Sequence, residues 1–259
     1  MSDKITAPKI RSMKGERIVC VTAYDTPSAQ IADEAGVDVI LVGDSVGNTT
    51  LGYATTLPVT LEEMVHHTRA AAAGCERALL VADLPFGSYQ SSSSHAVDSA
   101  VALVKAGAEA VKLEGAYTEA IQAIVRAGIP LMGHVGMTPQ SVNAFGGFRV
   151  QGRGDKAEAV ISAANAVEDA GAFSMVLEVI PAVVAKRVTG AVGVPTIGIG
   201  AGIECDGEIQ VWHDVLGISA EVFKHAKPFM AGRSLMKQAL ADFANAVRNR
   251  EFPTEDNSF

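Results

Sequence analysis

Aromatic residues make up only 5% of this 259-residue chain, and tryptophan occurs once. Its core must therefore be filled by Ala, Val, Ile and Leu, which supply most of a 48% hydrophobic content. Basic clusters are missing as well: 21 Lys and Arg against 29 Asp and Glu leave a net charge of −8. That balance argues against nucleic acid and anionic membranes as partners. No apolar run approaches the ~18 residues of a spanning helix, and the opening MSDKITAPKIRSMKGE contains no apolar signal core. Cysteine is scarce too: Cys20, Cys75 and Cys205 are widely spaced, form no metal or redox motif, and suit a reducing cytoplasm. These absences predict a soluble cytoplasmic protein without nucleic-acid or membrane partners.

What is present is a repeated event. The stretch from Val37 to Thr60 opens with the apolar run Val37, Val39, Ile40, Leu41 and Val42, which reads as a strand buried on both faces. The run stops at Gly43, and Asp44 and Ser45 follow at once. A carboxylate at the tip of a buried strand is costly unless a cation or hydrogen bonds hold it. Later runs end the same way, LLVADLP in Asp83, AVKLEG in Glu114, LMGHVG in His134 and MVLEVI in Glu178. Strand-like runs that each deliver a polar group at one end point to a barrel with an active site on one face, and the chain length suits one (β/α)8 barrel.

Read in order, residues 1–16 are a polar lead-in and Arg17–Tyr24 the first strand. Thr26 reads as the N-cap of the next helix with Pro27 at its first position. Stops at Gly36, Gly74, Gly107, Gly128, Gly171 and Gly193 each precede a strand-like run. Thr60 and Glu63 fit a capping box. Val97, Val101 and Val104, and likewise Ile121, Ile124 and Val125, mark helix faces. Strand–helix alternation with short links means parallel strands and right-handed crossovers. The seventh strand is Val194–Ile199 and the eighth Glu208–Val215, too close together for a full helix, so the seventh helix is abbreviated. A last amphipathic helix, Leu235–Val247, precedes a tail over 251–259, and the whole chain, 1–259, reads as one domain. The loops Gly47–Val59 and Met137–Asp155 are long enough to be binding loops or lids, and Phe145, Phe148 and Val150 in the second call for a packing surface.

Each candidate residue has a plain alternative. Asp44, Asp83 and Glu114 close three successive strands, and three converging carboxylates suit a hard divalent cation such as Mg²⁺; singly, each serves as a helix cap or lysine partner. Lys112 shares a strand face with Glu114 and either compensates carboxylate charge or grips a substrate oxygen. His134 is a partner for a substrate oxygen or a satisfied core histidine. Glu178, among apolar neighbours, is a candidate base whose pKa burial should raise, or an inter-strand ion-pair partner of Lys112 or an arginine. His213 beside Asp214 reads as structural. The Gly198–Gly202 run after the seventh strand is a weak anion-loop signal and does not fit the dinucleotide pattern.

In order along the chain, VTAYD (21–25), VGDSVG (42–47), TLPVT (56–60), ADLPF (82–86), VKLEG (111–115), GHVGMTPQSVNAFGGFRVQGRG (133–154), LE (177–178), IGIGAG (197–202) and HD (213–214) resemble the ketopantoate hydroxymethyltransferase family. The resemblance covers roughly residues 17–217 and is loose beyond about 225. It implies a (β/α)8 barrel of the phosphoenolpyruvate/pyruvate superfamily. It also implies Mg²⁺, 5,10-methylenetetrahydrofolate as one-carbon donor, a keto acid as acceptor, and a place in pantothenate biosynthesis. Carried onto matching positions, it implies a metal site of Asp44, Asp83 and Glu114. Asp44, Ser45, Asp83 and Lys112 become keto-acid contacts, and Glu178 the proton acceptor. A ring-like homo-oligomer, commonly a decamer, is implied too. Ala54 stands where an acidic residue is common and Asn257 where the tail often has His; neither is a site position. Two rivals fit parts of this pattern. A C–C lyase or mutase of the same superfamily would carry a Lys-Lys-Cys-Gly-His-type loop, which is absent here, and a keto-acid sensor would need no buried base.

Overall fold

The computed structural model describes residues 3–259, which divide into two compact units, one ending at Val211 and one spanning Trp212–Phe259. The first holds a complete barrel. Its strands are β1 (Ile18–Thr22), β2 (Val39–Val42), β3 (Leu79–Asp83), β4 (Ala110–Lys112), β5 (Leu131–Gly136), β6 (Ser174–Glu178), β7 (Thr196–Ile199) and β8 (Gly207–Gln210). They pair in sequence order, all parallel, and β8 closes on β1 through Ile18–Gly207 and Cys20–Ile209.

Before the barrel lies α1 (Ala7–Ser12), and around it run α2 (Thr26–Glu34), α3 (Val46–Thr49), α4 (Leu61–Ala72), α5 (Ser93–Lys105), α6 (Thr118–Arg126), α7 (Val142–Phe145), α8 (Ala157–Asp169) and α9 (Ala182–Ala191). The predicted glycine stops at Gly36, Gly107, Gly128 and Gly171 all carry positive φ, the backbone state that ends a helix cheaply. The capping box at Thr60 forms as read, the Thr60 hydroxyl taking the Glu63 N–H while Glu63 returns to the Thr60 N–H. For α2 the cap is Asp25, not Thr26. The Asp25 carboxylate accepts the Ser28 N–H at 2.8 Å, and the Ser28 hydroxyl completes the box.

Three local expectations differ from the structure. On α5 the buried side is Ala96, Ser99, Ala100 and Leu103, and the valines sit at its flank, Val104 being exposed. On α6 the face is as expected, with Ile121 and Ile124 buried. Between β7 and β8 the link over 200–206 has no helix at all, and β8 ends at Gln210, so His213 and Asp214 fall in the short helix α10 (Trp212–Val215) of the second unit. That unit also contains α11 (Gly232–Arg248), on which Leu235, Met236, Leu240, Phe243 and Val247 are exposed.

The stretch read as a polar lead-in is, in its described part, a plug. Thr6 caps α1, and Ile5, Ala7, Ile10 and Met13 join a buried cluster with the first interior residues of the strands: Ile18 and Cys20, Val39 and Leu41, Leu79 and Val81, Ala110, Met132, Val176, Ile197 and Ile209. Apolar filling therefore occupies the N-terminal half of the barrel. Side chains alternate along a strand, so the next interior positions are fixed: Asp83 after Val81, Lys112 and Glu114 after Ala110, His134 after Met132, Glu178 after Val176.

Candidate active site

Those interior positions form a polar layer over the apolar one, and nearly all of it is buried: Asp44, Asp83, Lys112, Glu114 and His134 are each less than 5% exposed. Glu178 is the more open member, with its side chain 17% exposed. Gly43 occupies the corresponding position of β2, where a Cβ would stand 2.8 Å from the Ser45 Oγ and 3.4 Å from Asp83 Oδ2. Its missing side chain leaves room for Asp44 and Asp83 to approach, and the Asp44 N–H donates to Asp83 Oδ2 at 3.1 Å.

Lys112 donates to Asp83 Oδ1 in a buried ion pair, so the charge-compensating role foreseen for it is present. Burial works against its charge, but Asp83, Glu114 and Asp44 more than offset that and raise its pKa, so it stays an ammonium. One lysine does not neutralise the whole layer. Burial, reinforced by the Asp83 charge, pushes the Asp44 carboxyl up to about 7 against the pull of Lys112 and Gln140. Burial and the nearby Asp44 likewise hold Glu114 well above the usual carboxylate range.

His134 lies between two acids. Its Nε2 is 3.2 Å from Glu178 Oε2 and its Nδ1 is 3.6 Å from Glu114 Oε1. Neither nitrogen makes a well-directed hydrogen bond, so this buried ring has unused polar capacity. Burial, then Lys112, lowers its pKa and keeps the imidazole neutral. Glu178 thus faces His134 and not Lys112 or an arginine. The residue after it, Val179, has φ 46°, a left-handed conformation that costs a β-branched residue about 1–3 kcal/mol. It is held there by a bond from its N–H to the Ile199 carbonyl and one from the Gln151 N–H to its own carbonyl, at 2.8 and 3.1 Å. Ser45, at the end of β2, accepts or donates a 2.8 Å bond with the buried Tyr24 hydroxyl.

Sequence reasoning missed Gln140 and Tyr89. Gln140 lies at the start of the long loop after β5, yet its amide reaches Asp44 Oδ2 at 2.9 Å and its N–H reaches Glu114 Oε2 at 2.9 Å. Tyr89, from the loop after β3, meets Gln140 Oε1 at 2.8 Å. The signal available was only their place in loops that follow candidate strands. Elsewhere in that loop Phe148 is exposed, so the expected packing surface serves Phe145 and Val150, which are half-buried, and not Phe148.

Among the described residues no three acidic, histidine or cysteine side chains converge tightly enough to form a ready-made cation site; the carboxylates are engaged by Lys112 and Gln140. The donor chemistry nonetheless fits a hard divalent ion: Asp44, Asp83 and Glu114 offer only oxygen, are buried together, and two of them resist ionisation in one another's company.

A closed parallel barrel with a buried, acid-rich layer at the C-terminal ends of its strands defines a (β/α)8 barrel protein. Solved structures agree on the fold. Phosphonopyruvate hydrolase in complex with oxalate and Mg²⁺ superimposes with a TM-score of 0.65 at 14% identity, covering 98% of this chain and 93% of that one. For 2,3-dimethylmalate lyase the TM-score is 0.62 at 17% identity, covering 98% and 91%. Sequence comparison is more specific. The family model for ketopantoate hydroxymethyltransferase matches residues 4–255. The 3-methyl-2-oxobutanoate hydroxymethyltransferase of Aeropyrum pernix is 54% identical over 98% of this chain and 94% of the relative, and that of Rhodococcus jostii is 51% identical over 96% and 89%. The chain belongs to the ketopantoate hydroxymethyltransferase family, a family of transferases.

Proposed function

We propose that the chain transfers a hydroxymethyl group from 5,10-methylenetetrahydrofolate to 3-methyl-2-oxobutanoate, giving 2-dehydropantoate, a step of pantothenate biosynthesis. The observation that carries this reading is the convergence of Asp44, Asp83, Lys112, Glu114, His134 and Glu178 on one layer at the strand ends. Full-length relatives with this activity in their names support it.

Asp44, Asp83 and Glu114 would hold a Mg²⁺ ion. When bound, the ion supplies Lewis acidity to a 2-oxo acid and counters the negative charge of the layer. Lys112 gives the keto acid a fixed ammonium, kept charged by its carboxylate neighbours. Ser45, held by Tyr24, and His134, with unsatisfied nitrogens, are the further polar contacts for substrate oxygens. Glu178 is the base. It is the more open acid of the layer, and the neutral His134 beside it places no ammonium or guanidinium against its charge. It removes the C3 proton of the keto acid, and the resulting carbon nucleophile bonds to the methylene carbon of the donor. Both bonds from that carbon to the folate nitrogens are broken, one water supplies the hydroxyl oxygen, and tetrahydrofolate leaves with its two nitrogens protonated. The donor enters above the keto acid, under the loops over 47–59 and 137–155.

Free thiols at Cys20, Cys75 and Cys205 support a cytoplasmic location, and no described helix is long and apolar enough to cross a membrane. The exposed apolar residues of α11 support a homo-oligomer, with a decamer as the form the family resemblance implies. Small molecules are the partners this site suits, and the net charge of −8 argues against nucleic acid. The test is direct: incubate protein, Mg²⁺, 3-methyl-2-oxobutanoate and methylenetetrahydrofolate, and follow the keto acid by mass spectrometry. A product heavier by one CH2O is expected, and its absence with intact folate rejects the reading.

A further inference from the structure

Gln140 sits in a single 3-10 turn, Pro139–Ser141, at the start of the long loop, and is 5% exposed. Its side-chain amide is fully used. Nε2 donates to Asp44 Oδ2 at 2.9 Å and to the Leu84 carbonyl at 3.0 Å. Oε1 accepts from the Tyr89 hydroxyl at 2.8 Å and from Gln90 Nε2 at 3.2 Å. Its backbone N–H donates to Glu114 Oε2 at 2.9 Å. One loop residue therefore touches two carboxylates that come from separate strands.

Tyr89 sets which way the amide points. Its hydroxyl accepts the Glu114 N–H at 3.2 Å, and its single proton lies between Gln140 Oε1 and the Glu114 carbonyl, at 2.8 and 3.0 Å. With Oε1 committed to Tyr89 and Gln90, the NH2 end must face Asp44. An amide suits that position because it orients a carboxylate through a donated hydrogen bond and adds no charge to an already acidic layer. Glutamate there would add a further negative charge. Leucine would strand the Leu84 carbonyl without a partner and leave the Tyr89 hydroxyl only its bonds to the Glu114 backbone, a costly outcome for a buried carbonyl.

We propose that Gln140, oriented by Tyr89, is a positioning residue that holds Asp44 and Glu114 in their cation-facing arrangement and anchors the base of the long loop to them. This rests on the reading of Asp44 and Glu114 as cation ligands. Partners hydrogen-bonded to metal ligands are typically worth about 10–100-fold in metal affinity.

The test uses the full chain, Mn²⁺ as the spectroscopic probe, and no substrate. Gln140→Leu should weaken Mn²⁺ binding, read by electron paramagnetic resonance, by about 10–100-fold. Tyr89→Phe removes one hydroxyl and should cause a smaller loss in the same direction. The double variant should bind no worse than Gln140→Leu, because Tyr89 acts through Gln140 and the two effects are not additive. In EDTA, protease cleavage within residues 142–156 should be faster in Gln140→Leu than in wild type, since the loop has lost its anchor. Circular dichroism checks folding, and if Gln140→Leu fails to fold, Tyr89→Phe carries the test. Wild-type Mn²⁺ affinity in the variants, additive losses, or unchanged loop cleavage would overturn the inference while leaving the proposed reaction intact. No Mn²⁺ binding by the wild type would overturn both the cation site and this role for Gln140.

Discussion

In the metal-free protein Asp44 should cost stability as the pH rises. Its ordinary value is 3.8, and burial with the Asp83 charge pushes it up to about 7 in the fold. Below about pH 4 the group is protonated in both the folded and unfolded chains and contributes nothing. Between about 4 and 7 the unfolded chain ionises while the folded one holds its proton, so stability falls with pH, opposite to a salt-bridged carboxylate. Above about 7 the full penalty is present. The gap is about three pH units at ~1.4 kcal/mol each, or roughly 4 kcal/mol. Other groups also shift in ways that bear on this range, Glu114 and Glu208 upward by burial and His134 downward by burial, so the quantity to read is a difference. Asp44→Asn keeps an oxygen for Gln140 but cannot ionise. In EDTA, at fixed protein concentration, urea melts should give equal stabilities for wild type and variant near pH 4. The variant should be more stable by up to roughly 4 kcal/mol at pH 8. Mg²⁺ should then restore the wild type at pH 8, by about 2.7 kcal/mol at a hundred times its dissociation constant, and do far less for Asp44→Asn. Parallel pH curves for the two proteins would refute this reasoning.

Gly136 has φ 100°, and a Cβ there would stand 2.4 Å from the Glu178 carbonyl. Gly136→Ala should lose more than about 1 kcal/mol in thermal melts and lose C3-proton exchange as well, because the end of β6 must move. Ile10→Ala, at the opposite end of the barrel, should cost about 2–5 kcal/mol in urea melts yet leave exchange unchanged, since Ile10 is fully buried in the basal plug. Thr60→Ala removes the cap of α4 and should cost about 1 kcal/mol, also without an effect on exchange.

The polar layer was legible because strands have a strict period of two: once Val81, Ala110, Met132 and Val176 are interior, Asp83, Lys112, His134 and Glu178 must be too. Asp44 was legible by its place at a strand tip, although it sits one position past the alternation. The plug α1 was not, since six residues carrying two basic side chains and two buried apolar ones look polar in isolation. On α5 alanine misled: it contributes little hydrophobic signal, so the valines defined a face that Ala96, Ala100 and Leu103 in fact hold. The strand predicted over 208–215 ran too far because Val211 and Val215 continue the alternation begun at Ile209, although the strand's hydrogen bonding has already ended at Gln210. Gln140 and Tyr89 sit in loops, where no periodicity marks a buried polar side chain.

Deuterium exchange isolates the proposed base. With Mg²⁺ and 3-methyl-2-oxobutanoate in D2O and no folate present, the wild type should exchange the C3 proton, because the enolising groups act on the keto acid alone. Glu178→Gln keeps the shape but cannot take a proton, and should lose exchange by about 10²–10⁴-fold while still binding metal and keto acid. Lys112→Met should instead weaken keto-acid binding. Exchange at the wild-type rate in Glu178→Gln would contradict the assignment of Glu178 as the base and pass the role to His134, 3.2 Å away.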